Sequence, residues 1–273
     1  MQKQLEIFID DVPADQMELL IAKLFELGIH GIEELPAGLK AYANLGDFDE
    51  AAFDLFSKDR GLVFTINAVK EENWNAIWEA NFEPVAIPGK VYVRAAFHPP
   101  VGGFEHDILI TPKMSFGTGH HATTMMMMKL MLDVNFKEKT VIDFGSGTGI
   151  LSILAEKLGA SKVISIDNES WSVENAVENA NLNNCSKVTV TLGSALDDFA
   201  SAEVVLANIN KSILLEHAKR IFEHLHSAGV LILSGLLRAD YDDIVQHYSK
   251  FLGEPATMLH EGDWIALVFE KTC

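Results

Sequence analysis

Two glycine-bearing segments lie close together in this chain: S-F-G-T-G-H-H-A-T-T at 115–124 and D-F-G-S-G-T-G at 143–149. In the second, an apolar run ends at Asp143, Gly145, Gly147 and Gly149 follow at alternate positions, and a helix-like segment begins. Glycine permits positive φ and close backbone approach, and a helix start presents unpaired N–H groups. Together they make the ligand-binding turn of a doubly wound sheet. A nicotinamide-type fingerprint, G-x-G-x-x-G, requires glycine where Ile150 stands, and the Gly-Lys-Ser/Thr of a phosphate loop is missing. The carboxylate of Asp143 at the mouth of the turn is poor company for a pyrophosphate and suits a ligand with an ammonium end. The next apolar run, KVISID, ends at Asp167, placed to accept hydrogen bonds from both hydroxyls of a ribose.

The composition limits what such a turn can serve. The chain has 273 residues, 48% of them hydrophobic, enough for about two domains with real cores. No apolar run reaches the roughly 18 residues a membrane span needs. The start, MQKQLEIFID, lacks the basic-then-apolar order of a secretory signal. Cys185 and Cys273 sit in no metal or redox spacing, and a reduced, cytoplasmic setting is expected. The net charge of −18 disfavours direct binding to a nucleic-acid backbone and favours a basic partner. Residues 1–80 carry 16 acidic and 6 basic side chains, a net of −10, leaving −8 for the remaining 193.

The elements that must position these residues follow from periodicity. LEIFID, GIEEL, LKAYANL and LVFTINAV read as strands, with helices over PADQMELLIAKLFELG and DFDEAAFDLFSKDRG stopped by Gly28 and Gly61. This β-α-β-β-α-β order predicts a ferredoxin-like unit over residues 1–70. Residues 71–105, with Trp74 and Trp78, read as a short helix and an extended linker leading to the strand VYVRAAF. From 106 to 273 strands alternate with helices, which implies a mostly parallel sheet covered on both faces, closed by an antiparallel WIALVFEK. The run Met125–Met128 points all round a helix and reads as gap-filling core.

D-x-G-x-G-x-G with an acid at the end of the next strand is the pattern of class I methyltransferases that use S-adenosyl-L-methionine, a ligand with an ammonium, a sulfonium and a ribose but no phosphate. The first segment narrows the resemblance. F-G-T-G-x-H-x-T-T followed by D-F-G-x-G-x-G, Asp167 and the A-N-I around Asn208 resembles, over the whole chain, the PrmA family, which methylates protein eleven of the large ribosomal subunit. The resemblance implies a class I (Rossmann-like, doubly wound) α/β domain behind a small α+β ferredoxin-like domain. It implies that Thr124, Gly145, Asp167 and Asn208 contact the cofactor. Gly147, Asp143, Phe116, Gly117 and Thr118 are expected to complete the cofactor surface, with the FGTG loop folding over it as a lid. Of the two histidines, His120 is read as fitting the motif and His121 as incidental.

No dedicated general base stands out. Asn208, ending AEVVLAN, is the residue expected to orient an attacking amine, with Ile209 and Asn210 where many amino-methylating relatives carry two prolines. The acidic front domain is expected to grip a basic ribosomal protein. Two rival readings remain at this stage: a methyltransferase of another protein, RNA or a small molecule, and a non-catalytic cofactor-binding protein.

Overall fold

The computed structural model describes residues 4–10, 12, 17–35, 38–68, 82–113, 115–196 and 199–272. The short helix expected around Trp74 and Trp78 lies outside them. Contacts divide the chain into two compact units, 1–81 and 82–273.

In the first unit the alternation of LEIFID becomes β1 (Gln4–Asp10), followed by α1 (Met17–Glu26), β2 (Ile29–Leu35), β3 (Gly38–Asn44), α2 (Glu50–Arg60) and β4 (Val63–Ala68). The strands form one antiparallel sheet in the order β2-β3-β1-β4, the ferredoxin-like arrangement. Ile7, Ile9, Leu24, Leu39 and Phe53 fill its core. The Asp49 carboxylate caps α2 by accepting from the Ala52 N–H at 2.9 Å, and Gly61, at φ 64°, ends it.

The second unit begins earlier than the linker reading places it. From residue 82 the chain belongs to this unit, where β5 (Val85–Ile87), β6 (Val91–Arg94) and β7 (His106–Leu109) form a three-stranded sheet. Burial of all four β6 residues explains the difference, since a solvated linker has no use for VYVR. Then come α3 (Ala122–Leu132), β8 (Thr140–Phe144), α4 (Ile150–Lys157), β9 (Lys162–Asp167), α5 (Ser170–Leu182), β10 (Val188–Leu192) and β11 (Ala202–Asn208). The chain closes with α6 (Lys211–His224), β12 (Leu225–Leu237), α7 (Tyr241–Leu252), β13 (Thr257–Glu261) and β14 (Trp264–Glu270). The seven-stranded sheet runs β10-β9-β8-β11-β12-β14-β13, parallel except where β14 enters antiparallel to both neighbours. Edge strand β13 escapes the sequence reading because TMLHE has no buried face to alternate.

Strand order reverses between β8 and β11, which opens a crevice beyond their carboxyl ends. The helices flanking it pack in two layers. Residues of α3 and α4 cover one sheet face with Val141, Val163 and Leu206, while α6 and α7 cover the other with Ile142, Ile164 and Val205. Met126, Met127, Met128 and Met131 of α3 are all buried. Pointing all round a helix, the run should leave some methionines exposed; instead Met125 is partly buried against the same core, so the helix is covered on every side there.

A second device holds the crevice wall. Asn175 and Asn179 of α5 and Asn183, which caps its carboxyl end, recur every four residues. Asn183 exchanges two hydrogen bonds with the Leu109 backbone (3.0 and 2.7 Å). The Asn179 side-chain oxygen accepts from the Thr111 N–H at 2.8 Å, and the Asn175 side-chain amide donates to the Thr111 carbonyl at 3.2 Å. Four helical residues rise about 6 Å and two strand residues about 6.6 Å, so Asn183 and Asn179 match the alternate residues Leu109 and Thr111, and Asn175 adds a second bond to Thr111.

Truncating Met127→Ala is expected to cost about 2–5 kcal/mol through lost burial and the cavity left behind. Chemical denaturation of the two proteins measures it.

Candidate functional site

A cleft of about 1050 Å³ opens at the carboxyl ends of β8, β9 and β11. That is at the top of the range for small-ligand sites, roughly 300–1,000 Å³. Thr124, Gly145, Gly147, Asp167, Asn208, Phe116 and Gly117 all line it. Residues from three strand ends and two loops, distant in sequence, therefore converge on one cavity.

The glycine turn is packed from both sides. A Cβ on Gly145 would lie 2.1 Å from Ile209 Cγ2, and one on Gly147, at φ 54°, would lie 2.2 Å from the carbonyl oxygen of Phe116. The turn meets the first glycine segment through Thr148, whose N–H donates to the Phe116 carbonyl at 2.9 Å and whose hydroxyl donates to the Gly117 carbonyl at 2.5 Å. The FGTG loop is thus latched to the glycine turn.

Asp167 is nearly buried and already engaged. One carboxylate oxygen accepts from the Gly147 N–H at 2.8 Å and the other from the Glu169 N–H at 3.1 Å. Each oxygen keeps a further lone pair for a ligand diol. Asn208 donates to the Thr124 hydroxyl at 3.3 Å, while its amide oxygen is buried without a hydrogen-bond partner. The hydroxyls of Ser115 and Ser146, two more lining residues, are likewise buried and unpartnered. Such atoms are few in folded proteins; others lie away from the cleft, on Ser57, Ser165, Asn175 and Asp143, so it is the grouping of these three around one cleft that marks the site.

Two expected cofactor residues do not line the cleft. Strand alternation sends Ile142 and Phe144 to the α6 face and Asp143 to the opposite one. There its fully buried carboxylate accepts from the Ser152 hydroxyl at 2.6 Å, at the start of α4, and its other oxygen has no hydrogen-bond partner. Burial pushes its pKa up to about 6, against the downward pull of Ser152. Thr118 turns instead to His120 Nδ1 at 3.1 Å.

The histidines also change places. Counting along F-G-T-G-x-H-x-T-T puts His121, not His120, at the motif position. His121 caps α3 by accepting from the Thr123 N–H. Its ring stands edge-on to Phe116 (5.1 Å) and Trp264 (4.7 Å), so its role is to fix the helix that carries Thr124. The His120 ring bonds the Glu83 carbonyl at 2.8 Å.

Sequence reasoning missed the wall supplied by α6. Ile213, Glu216, His217 and Arg220 line the cleft at a spacing of one helical face, a signal present in the sequence. His217 packs edge-on against Phe144 (5.1 Å) and holds a buried, unpartnered Nδ1. Trp171, half exposed, sits on the rim. Among the described residues, no helix is long and apolar enough to cross a membrane, and no cluster of ligating side chains could hold a metal ion.

Strand order, an inserted antiparallel strand and a glycine turn at the switch point define a class I methyltransferase. Comparison with known proteins narrows this. The family model for ribosomal protein L11 methyltransferase (PrmA) matches residues 37–272. A ribosomal protein L11 methyltransferase of Porphyromonas gingivalis is 37% identical over 262 residues, covering 92% of this chain and 90% of that one. Another, from Phocaeicola vulgatus, is 32% identical over 277 residues, covering 98% and 99%. The crystal structure of the ribosomal protein L11 methylase of Lactobacillus delbrueckii subsp. bulgaricus superposes with a TM-score of 0.65 at 28% identity, covering 70% of this chain and all of that one. The chain belongs to the PrmA family of methyltransferases.

The Asp143 carboxyl is more basic folded than unfolded, so the folded state binds the proton more tightly. Its contribution to stability is complete below its ordinary value of 3.8 and is lost as pH rises through about 6. Asp143→Asn removes this titration. In the absence of ligand, the melting temperature of the variant relative to the parent is expected to rise between about pH 4 and about pH 7. A flat difference overturns the assignment.

Proposed function

We propose that this enzyme transfers methyl groups from S-adenosyl-L-methionine to amino groups of protein eleven of the large ribosomal subunit: lysine side chains, and the terminal amine where it is presented. The observation that carries the reading is the buried, unpartnered amide oxygen of Asn208 on the cleft wall, within the same cavity as the glycine turn. Family membership supports the protein substrate, since the relatives above are named methyltransferases of ribosomal protein L11.

The residues present fit the cofactor. Asp167, with one lone pair left on each oxygen, is positioned for the ribose diol. Ser115 and Ser146 carry unpartnered hydroxyls among the lining residues, and Gly145 and Gly147 let the turn border the cleft while packed against Ile209 and Phe116. Asp143 acts from behind, fixing the start of α4 through Ser152. When bound, S-adenosyl-L-methionine supplies an electrophilic methyl group on a sulfonium.

The chain's own contribution is placement. A lysine ammonium with a pKa near 10.4 gives up its proton at a cost of about 4–5 kcal/mol at pH 7, and desolvation in the cleft lowers that cost by disfavouring the cation. The Asn208 amide oxygen accepts an N–H of the neutral amine and aims its lone pair. Thr124, bonded to the amide nitrogen, holds that orientation. Alignment of this kind accounts for large effective molarities. The proton leaves to solvent before the amine is enclosed.

The front unit is assigned to recognition of the protein substrate, working in the cytoplasm. Its surplus of acidic over basic side chains favours association with a basic protein and speeds the encounter.

Incubation with radiolabelled cofactor and a ribosomal extract is expected to label one band, protein eleven of the large subunit. Asn208→Ala is expected to lower kcat by about 10²–10³ with little change in cofactor affinity, the scale of a lost transition-state contact. Label on RNA, or none in any band, sinks the proposal. Deleting residues 1–81 is expected to raise KM for the intact protein substrate and spare binding of S-adenosylhomocysteine. An unchanged rate removes the recognition role.

A further inference from the structure

Four hydrogen bonds around the FGTG loop join into a closed circuit. The Thr148 N–H and hydroxyl hold the carbonyls of Phe116 and Gly117. The Thr148 carbonyl accepts from the Asn179 side-chain amide at 2.9 Å. The same Asn179 side chain accepts from the Thr111 N–H at 2.8 Å, at the stem from which the loop departs. Stem, loop and glycine turn are therefore tied through two residues, both with no solvent exposure. Neither residue offers a side chain to the cleft, since neither lines it.

From this circuit we infer that Thr148 and Asn179 are positioning residues for the methyl-transfer site: they set where Phe116 and Gly117 stand over the cleft, and hence how tightly the cofactor is held and how fast it exchanges. The inference rests on the cofactor assignment above for its second half only; the latch itself is a property of the free protein. The physical argument is one of partners. In the latched state each of the three Thr148 groups is paired. Lifting the loop exposes the Phe116 and Gly117 carbonyls to water but strands the Thr148 N–H and hydroxyl in the turn, and an unpaired buried polar group is costly. The loop therefore has two discrete arrangements rather than a continuum, and Thr148 biases it toward the closed one. Asn179 sits on α5, whose amino end follows Asp167 and Glu169. A ligand that tightens the Asp167 end thus acts on the same helix that holds the stem.

Thr148→Val removes the hydroxyl at nearly constant shape, Thr148→Ser retains it, and Asn179→Ala cuts both of its joints. Hydrogen exchange on ligand-free protein reads the latch directly. The amides of residues 148 and 111 are expected to exchange about tenfold faster in Thr148→Val, the weight of one buried hydrogen bond. Those of Ile153 in α4 and Val163 at β9, which bond the Gly149 and Lys187 carbonyls, are expected to be unmoved. Thr148→Ser is expected to match the parent, and Asn179→Ala to free both amides further. Equal acceleration at Ile153 and Val163 means a general loss of stability and overturns the inference, as does no change at 148 and 111. In calorimetry, S-adenosylhomocysteine is expected to bind Thr148→Val about tenfold more weakly and leave faster, with Thr148→Ser restored. If the parent itself gives no binding heat, the cofactor assignment fails while the exchange result still decides the latch. If the parent binds and Thr148→Val binds equally well, the latch does not govern the cofactor.

Discussion

The structure turns on one close approach: the carbonyl of Phe116 lies where a side chain on Gly147 would be. Two loops from different parts of the chain can touch backbone to backbone there only because one of them lacks a Cβ. Everything at the cleft follows from that contact. It brings the Thr148 N–H to the Phe116 carbonyl, sets the 115–119 loop over the strand ends and frees the Gly147 N–H to point at Asp167. The two glycine segments are thus halves of one binding surface, which explains their nearness in sequence.

Charge is arranged around that surface in depth. Asp167 meets the cleft directly, while Asp143 is withdrawn behind the glycine turn at the amino end of α4. A carboxylate near a helix amino end is favoured by the helix dipole, yet burial works against ionisation more strongly. The cleft therefore presents one anionic side chain from the two acids of the motif, and the other acts on backbone placement.

Much of this was legible in the sequence, and the reasons differ by feature. The front unit was readable because each of its helices has a stop residue and each of its strands carries apolar residues packed on the core. Glycines at alternate positions after an apolar strand gave the switch point, and the terminal acid of KVISID gave Asp167. Asp143 was misplaced because spacing along a strand does not say which face a residue takes; that depends on the neighbours of Ile142 and Phe144 across the sheet. His121 was misjudged because a cap is recognised by backbone geometry, and histidine is an uncommon choice for it. The α6 wall was hidden by its ordinary amphipathic pattern, in which a cleft-lining residue looks like any surface residue. The linker boundary failed at VYVR, where burial comes from a small sheet whose other strands are short and dull in sequence.

The asparagine row on α5 has an effect beyond holding the wall. Strand β7 is the outer strand of the three-stranded sheet, and its free backbone rail at Leu109 and Thr111 is filled by amide side chains from within the same chain. An open rail of this kind is a template on which another polypeptide can add as a strand. With Asn175, Asn179 and Asn183 already bonded along it, this rail is closed to such an addition at Leu109 and Thr111.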